Sequence, residues 1–200
     1  MPRSIEIILT FLGLLLLSPL FIIISFLIKL DSKGPVYHKP SRVGQGSQLF
    51  KLFKFRTMQI DADQIGPPIT TVNDSRITRI GKVLRKTKLD ELPQLFNVLI
   101  GQMSLVGPRP EDPSIVKEYS EEQRKILNYK PGITSPASIL FRSEEKMITA
   151  EKWEKEYLEE ILTKKLEVDL NYMNSANYLS DLKVIFKTVL PRSKTEKGKR

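Results

Sequence analysis

An uncharged apolar stretch from residue 7 to residue 28 limits what this chain can fold into. The stretch reads IILTFLGLLLLSPLFIIISFLI and lies between Glu6 and Lys29. As a straight helix it would be roughly 33 Å long, which is enough to cross a bilayer core of about 30 Å. A cleaved secretory signal is the alternative, but the stretch is longer than an ordinary signal and no small-x-small cleavage site follows it. The N-terminal segment is therefore predicted to lie in a membrane.

A serine-proline pair, Ser18 and Pro19, stands in the middle of this apolar stretch. Proline removes a backbone donor and kinks a helix, and the Ser18 hydroxyl can bond to a freed carbonyl oxygen. Two arrangements fit: a spanning helix with a kink, and a helix-break-helix hairpin that enters one leaflet and returns. Arg3, Lys29 and Lys33 place basic residues at both ends, which favours the re-entrant hairpin with both ends in the cytoplasm.

Composition narrows the chemistry of the remaining chain. The 200 residues include no cysteine and one histidine, His38, which excludes disulfide staples, thiolate metal sites, cysteine nucleophiles and histidine-rich metal clusters. Lys and Arg total 32 against 23 Asp and Glu, so the formal net charge is +9. This excess predicts an anionic partner: nucleic acid, an anionic membrane surface or a phosphorylated substrate.

The rest of the chain is predicted to be mainly α with a small β-hairpin. Val36 and Tyr37 form one β-prone stretch, and residues 49–58 form a second that is rich in aromatic residues. On the second strand, Lys54 and Arg56 would share a face about 7 Å apart.

Helical patterns follow the hairpin. A basic amphipathic helix with Ser75 as its N-cap is typical of a membrane interface, although a surface helix of a soluble core fits as well. A second helix is predicted with Asp90 as N-cap, Pro93 in the first turn and Gly101 at the far end. Further helices are predicted near residues 114–129, 150–165 and 178–190.

The adjacent carboxylates Asp90 and Glu91 are the most suggestive pair for chemistry. Such a pair is ordinarily a helix cap, but Lys88 precedes it and Arg109 follows between two prolines. Arginine forks and lysine charges suit phosphate oxygens, and a carboxylate among them can attack phosphorus. Because a carboxylate and a diphosphate repel each other, a bridging divalent ion is expected. Oxygen ligands favour Mg²⁺, with Asp90 as the predicted metal ligand.

Residues 89–110, LDELPQLFNVLIGQMSLVGPRP, resemble the signature of the monotopic phosphoglycosyl transferases, the bacterial sugar transferases of glycan assembly. Ser18-Pro19 matches the break in the re-entrant membrane helix of that family. GPVYHKPSRVGQGSQLFKLFKFRTM matches the segment that follows it. KPGIT and KLEVDLNYMNSANYLSDLKVIFKT match the C-terminal part, so the resemblance covers nearly the whole chain.

The resemblance implies transfer of a sugar-1-phosphate from a nucleotide (UDP) diphosphate sugar to a polyprenyl (undecaprenyl) phosphate, with release of the nucleoside monophosphate. It implies that Asp90 is the covalent nucleophile. Glu91 is its partner, either in metal or substrate organisation or in proton transfer. Many members continue after Pro-Gly-Ile-Thr with Gly-Trp-Ala-Gln-Val and a later arginine, whose place Arg142 takes in PGITSPASILFR. The predicted substrate-binding residues are Lys54, Arg56, Arg109 and Arg142.

These predictions combine into one organisation: a membrane re-entrant helix at 1–30, a cytoplasmic catalytic domain at 31–190 lying on the membrane surface, and a basic tail at 191–200. The expected location is the cytoplasmic face of the bacterial inner membrane. The expected partners are the nucleotide diphosphate sugar, the polyprenyl phosphate and membrane lipids, without nucleic acid, and a homo-oligomer is allowed. The alternative is a membrane-tethered basic module that binds anionic lipid or nucleic acid without catalysis.

Overall fold

The computed structural model describes residues 1–65, 70, 74–142, 144, 148 and 153–189, and over these residues the chain is mainly helical with short strands. The α-helices are α1 (Arg3–Asp31), α2 (Ala62–Ile65), α3 (Arg79–Thr87), α4 (Gln94–Leu99), α5 (Pro113–Lys117), α6 (Glu121–Arg124), α7 (Pro136–Leu140), α8 (Thr163–Ser175) and α9 (Tyr178–Val189). The strands are β1 (Tyr37–His38), β2 (Ser41–Val43), β3 (Leu49–Lys51), β4 (Lys54–Phe55), β5 (Ser104–Val106) and β6 (Gly132–Thr134). Short 3₁₀ segments span Gln45–Ser47, Leu89–Glu91 and Lys125–Asn128, and a π-helix spans Glu154–Leu162.

Helix α1 continues through Pro19, so one helix stands where the sequence predicts a helix-break-helix. Pro19 has no N–H to donate to the carbonyl oxygen of Leu15. The Ser18 hydroxyl donates to that oxygen at 2.8 Å, as the sequence predicts. Because the freed carbonyl is satisfied locally, the helix does not end at the proline.

The apolar surface of α1 is largely exposed. Its 29 residues reach a mean hydropathy of 2.8 in the most apolar window, which is long and apolar enough for a membrane-crossing helix by these two criteria. One stripe is different: Phe21, Ile24 and Ile28 are buried and form a cluster with Phe55 and Leu84. The C-terminal half of α1 is therefore part of the protein core.

Both ends of α1 are hydrogen-bonded to the rest of the protein. Near the N-terminal end, Arg3 donates to the carbonyl of Leu99 at 3.2 Å. One turn later, the buried Glu6 accepts from the backbone N–H of Leu105 at 3.2 Å. At the C-terminal end, the Asp31 carboxylate accepts from a backbone N–H in the first turn of α3 at 2.9 Å.

Three short strand pairs connect the helices. The antiparallel pairs β1–β4 and β2–β3 confirm the predicted β element, as two small pairs rather than one ladder. The third pair, β5–β6, is parallel and was not predicted. Gly107 directly follows β5, and Gly132 is the first residue of β6. A Cβ on Gly132 would lie 2.0 Å from the Gly107 nitrogen. Glycine at both positions therefore lets the two backbones approach.

The start of α3 differs from the prediction. Thr78, not Ser75, is the N-cap, and its side chain accepts from the N–H of Gly81 at 3.0 Å. Gly81 packs so closely on the Thr57 backbone that a Cβ would lie 2.0 Å from its carbonyl oxygen. This close contact fixes where the helix can begin, and it involves a residue far away in the sequence.

Asp90 is not a helix cap, which corrects a second prediction. It lies in the 3₁₀ segment Leu89–Glu91, and α4 begins after Pro93. Gly101 follows the helix with a φ of +88°, so the predicted far end is confirmed. The Asp90 side chain is consequently free for another role.

The helices of the C-terminal half differ in part from the sequence prediction. The predicted helix near 114–129 is wrong as a single element, because Ser120 and Gln123 form a capping box that starts α6 separately. The helix near 150–165 begins as the π-helix and continues in α8 to Ser175, and α9 confirms the last prediction over Tyr178–Val189. The predicted basic tail at 191–200 lies outside the described residues.

Candidate active site

A cleft of about 350 Å³ opens between the β1–β4 pair, the 3₁₀ segment before α4 and the segment before the π-helix. All six residues that the sequence predicts as site residues line it: Lys54, Arg56, Asp90, Glu91, Arg109 and Arg142. They come from four separate stretches of the chain, so the fold brings them together.

Asp90 is buried at the base of this cleft, with 6% of its surface exposed. Lys88, two residues before it, has a left-handed backbone with a φ of +60°, which turns the chain out of α3. Burial, together with the charge of Glu91, raises the pKa of Asp90, and the nearby charges of Lys54 and Arg85 only partly oppose this. Its Oδ1 atom is buried and has no hydrogen-bond partner among the described residues.

Glu91 is held between two cations. Arg109 donates to both of its oxygens, from Nη2 at 2.8 Å and from Nη1 at 3.3 Å. Lys54 donates to Oε1 at 3.1 Å. Burial raises the pKa of Glu91, but Arg109 and Lys54 outweigh it and hold the pKa well below its usual range. Glu91 is therefore a fixed negative charge that orients two cations.

The pKa values of Lys54 and Arg109 are shifted in opposite directions. Burial lowers the pKa of Lys54, although Glu91 partly opposes this shift. The Glu91 carboxylate raises the pKa of Arg109 well above its usual value, against the effect of burial. Arg109 is therefore a permanent charge with a planar fork, and its side chain remains partly open to the cleft.

Arg56 and Arg142 also line the cleft. Arg56 is buried and donates to the carbonyl oxygens of Ser32 and Lys33, at 2.8 and 2.6 Å, so its guanidinium bonds the residues that follow α1. Arg142 is exposed. The structure thus brings Lys54 and Arg109 into contact with Glu91, and it places Arg56 and Arg142 on the walls of the same cleft.

Several residues that line or support the cleft were not predicted from the sequence. Glu111, Glu144 and Tyr157 line it beyond Arg109, and Lys165 bonds to all three. The eight-residue spacing of Tyr157 and Lys165 was the available signal, because it places both side chains on one helix face.

The Asp90 carboxylate could hold a metal ion. No group of three or more His, Cys, Asp or Glu residues that could hold a metal occurs among the described residues. Both oxygens of Glu91 are bonded to cations, whereas Oδ1 of Asp90 has no partner among the side chains described. Mg²⁺ commonly takes one or two carboxylates together with waters and substrate phosphates, so these residues fit a substrate-bridged ion.

A buried carboxylate beside a lysine and an arginine is an arrangement suited to phosphate chemistry. Comparison with known proteins identifies the class: residues 1–194 match the family model described as "Bacterial sugar transferase". The chain belongs to the bacterial sugar transferase family.

Curated relatives place the chain within this family. It is 43% identical over 188 residues to a UDP-glucose:undecaprenyl-phosphate glucose-1-phosphate transferase of Klebsiella pneumoniae, covering 92% of this chain and 38% of that protein. It is 36% identical to a UDP-N-acetylgalactosamine-undecaprenyl-phosphate N-acetylgalactosaminephosphotransferase of Aeromonas hydrophila, covering 94% of this chain and 42% of that protein. The chain thus spans about two fifths of these two relatives. The exopolysaccharide production protein PSS of Rhizobium leguminosarum bv. phaseoli is 35% identical, and 98% of this chain matches 96% of it.

Proposed function

We propose that this protein is an enzyme that transfers a sugar-1-phosphate from a UDP-sugar to undecaprenyl phosphate and releases UMP. The observation that carries the proposal is the buried Asp90, with an oxygen that has no partner among the described residues, beside the Glu91–Arg109–Lys54 cluster. Relatives that match more than nine tenths of this chain are named for this reaction with glucose and with N-acetylgalactosamine.

In the proposed first step, an oxygen of Asp90 attacks the β-phosphorus of the UDP-sugar. A phosphorus–oxygen bond forms to Asp90, and the bond from the β-phosphorus to the bridging oxygen breaks. UMP leaves with that oxygen, and the sugar phosphate stays on Asp90 as an acyl phosphate. In the second step a phosphate oxygen of undecaprenyl phosphate attacks the same phosphorus and releases the Asp90 carboxylate. At neutral pH that phosphate is already largely ionised, so no general base is required.

Glu91 organises the cations in this mechanism. Its pKa lies well below the usual range because Arg109 and Lys54 outweigh the effect of burial, so it is a poor proton acceptor at neutral pH. Its bidentate contact with Arg109 instead aims that guanidinium along the cleft, where it can bind a diphosphate oxygen. This supports substrate organisation over proton transfer.

We also propose a role for Mg²⁺, held by Asp90 and by the phosphate oxygens of the donor. When bound, the ion supplies positive charge that reduces repulsion between the carboxylate and the diphosphate. The support is the orphaned Oδ1 of Asp90 and the oxygen-only chemistry of the site.

The proposed location is the cytoplasmic face of the bacterial inner membrane, with α1 re-entering one leaflet. Two observations support this arrangement. The exposed face of α1 is apolar along its length, which suits lipid. Arg3 and Asp31, near its two ends, both bond to the remainder of the protein, whereas the ends of a spanning helix lie on opposite sides of a membrane. A cleft near the headgroups can meet a soluble nucleotide and a lipid phosphate in turn.

The covalent step is tested by omitting the lipid acceptor. Enzyme with Mg²⁺ is mixed separately with UDP-glucose and UDP-N-acetylgalactosamine labelled in the sugar, then quenched and denatured. With the donor that releases UMP, we expect label to remain on the protein and to map to Asp90 by peptide analysis. Asp90→Asn should retain none, because the amide cannot act as the nucleophile.

The matched control for this experiment is Glu121→Gln, an exposed carboxylate on α6 away from the cleft, which should label like the wild type. Release of UMP only when both substrates are present, without retained label, would contradict the covalent route. Wild-type turnover by Asp90→Asn would exclude Asp90 as the nucleophile.

A further inference from the structure

The cleft continues beyond the phosphate-binding cations to a second wall that the proposed mechanism does not use. This wall carries Glu111, Glu144 and Tyr157 next to the fully buried Ile115 and Ile148. An apolar floor with a few polar groups above it is the usual make-up of a small-molecule subsite.

The polar groups of the second wall are fixed by one another. The Tyr157 hydroxyl donates to Oε1 of Glu111 at 2.6 Å. Nζ of Lys165, from α8, lies 3.4 Å from the same oxygen and 2.9 Å from Oε2 of Glu144. Tyr157 and Lys165 are themselves buried, so their hydroxyl and ammonium groups are held in place.

The wall presents hydrogen-bond acceptors. Burial raises the pKa of Glu111, but Lys165, Tyr157 and Arg109 outweigh it and leave the pKa below the usual value, so this carboxylate is ionised. Oε2 of Glu144 accepts no hydrogen bond from the described residues, although it is ion-paired with Lys165. Two carboxylates share one lysine, so the wall favours neutral donors such as hydroxyl groups and disfavours anions.

The wall lies next to the position expected for the β-phosphate. Glu111 follows Arg109 by two residues, Pro110 keeps the preceding residue extended, and the side chains of both residues line the cleft. In a nucleotide diphosphate sugar the ring is joined directly to the β-phosphate. A ring whose phosphate contacts Arg109 therefore comes within reach of Glu111 and Glu144.

We propose that Glu111, Glu144 and Tyr157 form the subsite for the sugar ring of the donor, where Glu144 accepts a hydrogen bond from a ring hydroxyl. The ligand class is a neutral sugar with free hydroxyl groups, because the carboxylate of a uronic acid would face two others. This proposal rests on the proposed function and adds the sugar contacts to it.

The test compares the donor with the same nucleotide lacking its sugar. Binding of UDP-glucose, UDP-N-acetylgalactosamine and UDP is measured by calorimetry for the wild type, Glu144→Ala and Glu144→Gln. For the donor that the wild type binds more tightly, Glu144→Ala should weaken binding about 10- to 100-fold and leave UDP unchanged. Glu144→Gln, which keeps an acceptor oxygen, should lose less.

Glu159→Ala is the matched control, because Glu159 is an exposed glutamate on the same π-helix and does not line the cleft. It should bind all three ligands like the wild type. The proposal is overturned if Glu144→Ala weakens UDP as much as the UDP-sugar, or leaves UDP-sugar binding unchanged. Failure of the proposed function has a different signature: the wild type binds a UDP-sugar but releases no UMP from it.

Discussion

At the scale of single residues, the two neighbouring carboxylates have opposite environments. Burial raises the pKa of Asp90, whereas Arg109 and Lys54 hold that of Glu91 well below its usual range despite burial. The difference comes from partners: both Glu91 oxygens are bonded to cations, and one Asp90 oxygen has no partner in the described part of the chain. Adjacent positions in the chain therefore hold an ion-paired carboxylate and a buried carboxylate whose charged form is disfavoured.

The raised pKa of Asp90 predicts that this residue destabilises the fold at neutral pH. A carboxylate whose pKa is higher in the folded state favours folding in its protonated form, and this contribution is lost as the pH rises through the folded pKa. Asp90→Asn should therefore raise the Tm at pH 7 to 8, by roughly 2–4 °C for each kcal/mol gained.

The advantage of Asp90→Asn should shrink on acidification and vanish below about pH 3.9, where the carboxyl is protonated in both states. Thermal unfolding of both proteins in detergent across this pH range, without Mg²⁺ or substrate, is the measurement. Asp112→Asn is the control and should lower the Tm at neutral pH. Ser114 and Arg42 hold the pKa of Asp112 below its usual value despite burial, so its charged form stabilises the fold. A lower Tm for Asp90→Asn at neutral pH would contradict the argument.

At the scale of elements, α1 combines an apolar exposed surface with a buried stripe. Its exposed face suits lipid, while Phe21 contacts the rings of Phe55 and Phe96 at centroid distances of 5.1 and 6.0 Å. Arg56 additionally donates to the carbonyls that follow the helix. Helix α1 is consequently part of the same folded body as the rest of the described chain and not a separate segment.

Two adjacent isoleucines test this description of α1. Ile24 is 2% exposed in the core, whereas Ile23 is 56% exposed on the apolar surface. Ile24→Ala should destabilise the fold by about 2–5 kcal/mol, because it leaves a cavity, while the matched Ile23→Ala should have little effect. The measurement is thermal unfolding in detergent. Equal effects of the two substitutions would indicate that α1 does not pack against the body.

At the scale of the whole molecule, an apolar helix and a charged body are joined in one structure. The helix is long enough to cross a bilayer, yet hydrogen bonds join residues near both of its ends to the body. A body carrying most of the charged residues remains in water, so these contacts favour both ends on one side.

Cysteine labelling tests the side on which each end lies. The chain has no native cysteine, so Ser4→Cys and Gln48→Cys each introduce a single thiol at an exposed position. In inverted and right-side-out membrane vesicles, an impermeant maleimide should label both thiols only from the cytoplasmic side. Labelling of Ser4→Cys from the opposite side alone would establish a spanning helix.

Pro19→Ala should increase the fraction of molecules in which α1 spans the membrane, because the helix then regains its missing backbone donor. The same labelling of Ser4→Cys measures this fraction.

Local sequence patterns were sufficient to predict several helices and the candidate site residues of this protein. The apolar segment, the helix over Tyr178–Val189 and the end of α4 shortly before Gly101 follow from hydropathy, periodicity and glycine chemistry, which act within a few residues. The Asp90-Glu91 pair and Arg109 were also recognisable, because their motif is continuous in the chain.

Contacts between residues far apart in the sequence determined the remaining features. Thr78 caps α3 because Gly81 packs on Thr57, and the parallel pair β5–β6 forms between segments whose contact no local pattern encodes. Glu144, which lines the cleft, is likewise ion-paired with Lys165 of α8, 21 residues away in the sequence. Burial and ion pairing depend on atoms brought together from distant stretches, so the sequence alone could single out Asp90 and Glu91 but could not assign their opposite pKa shifts.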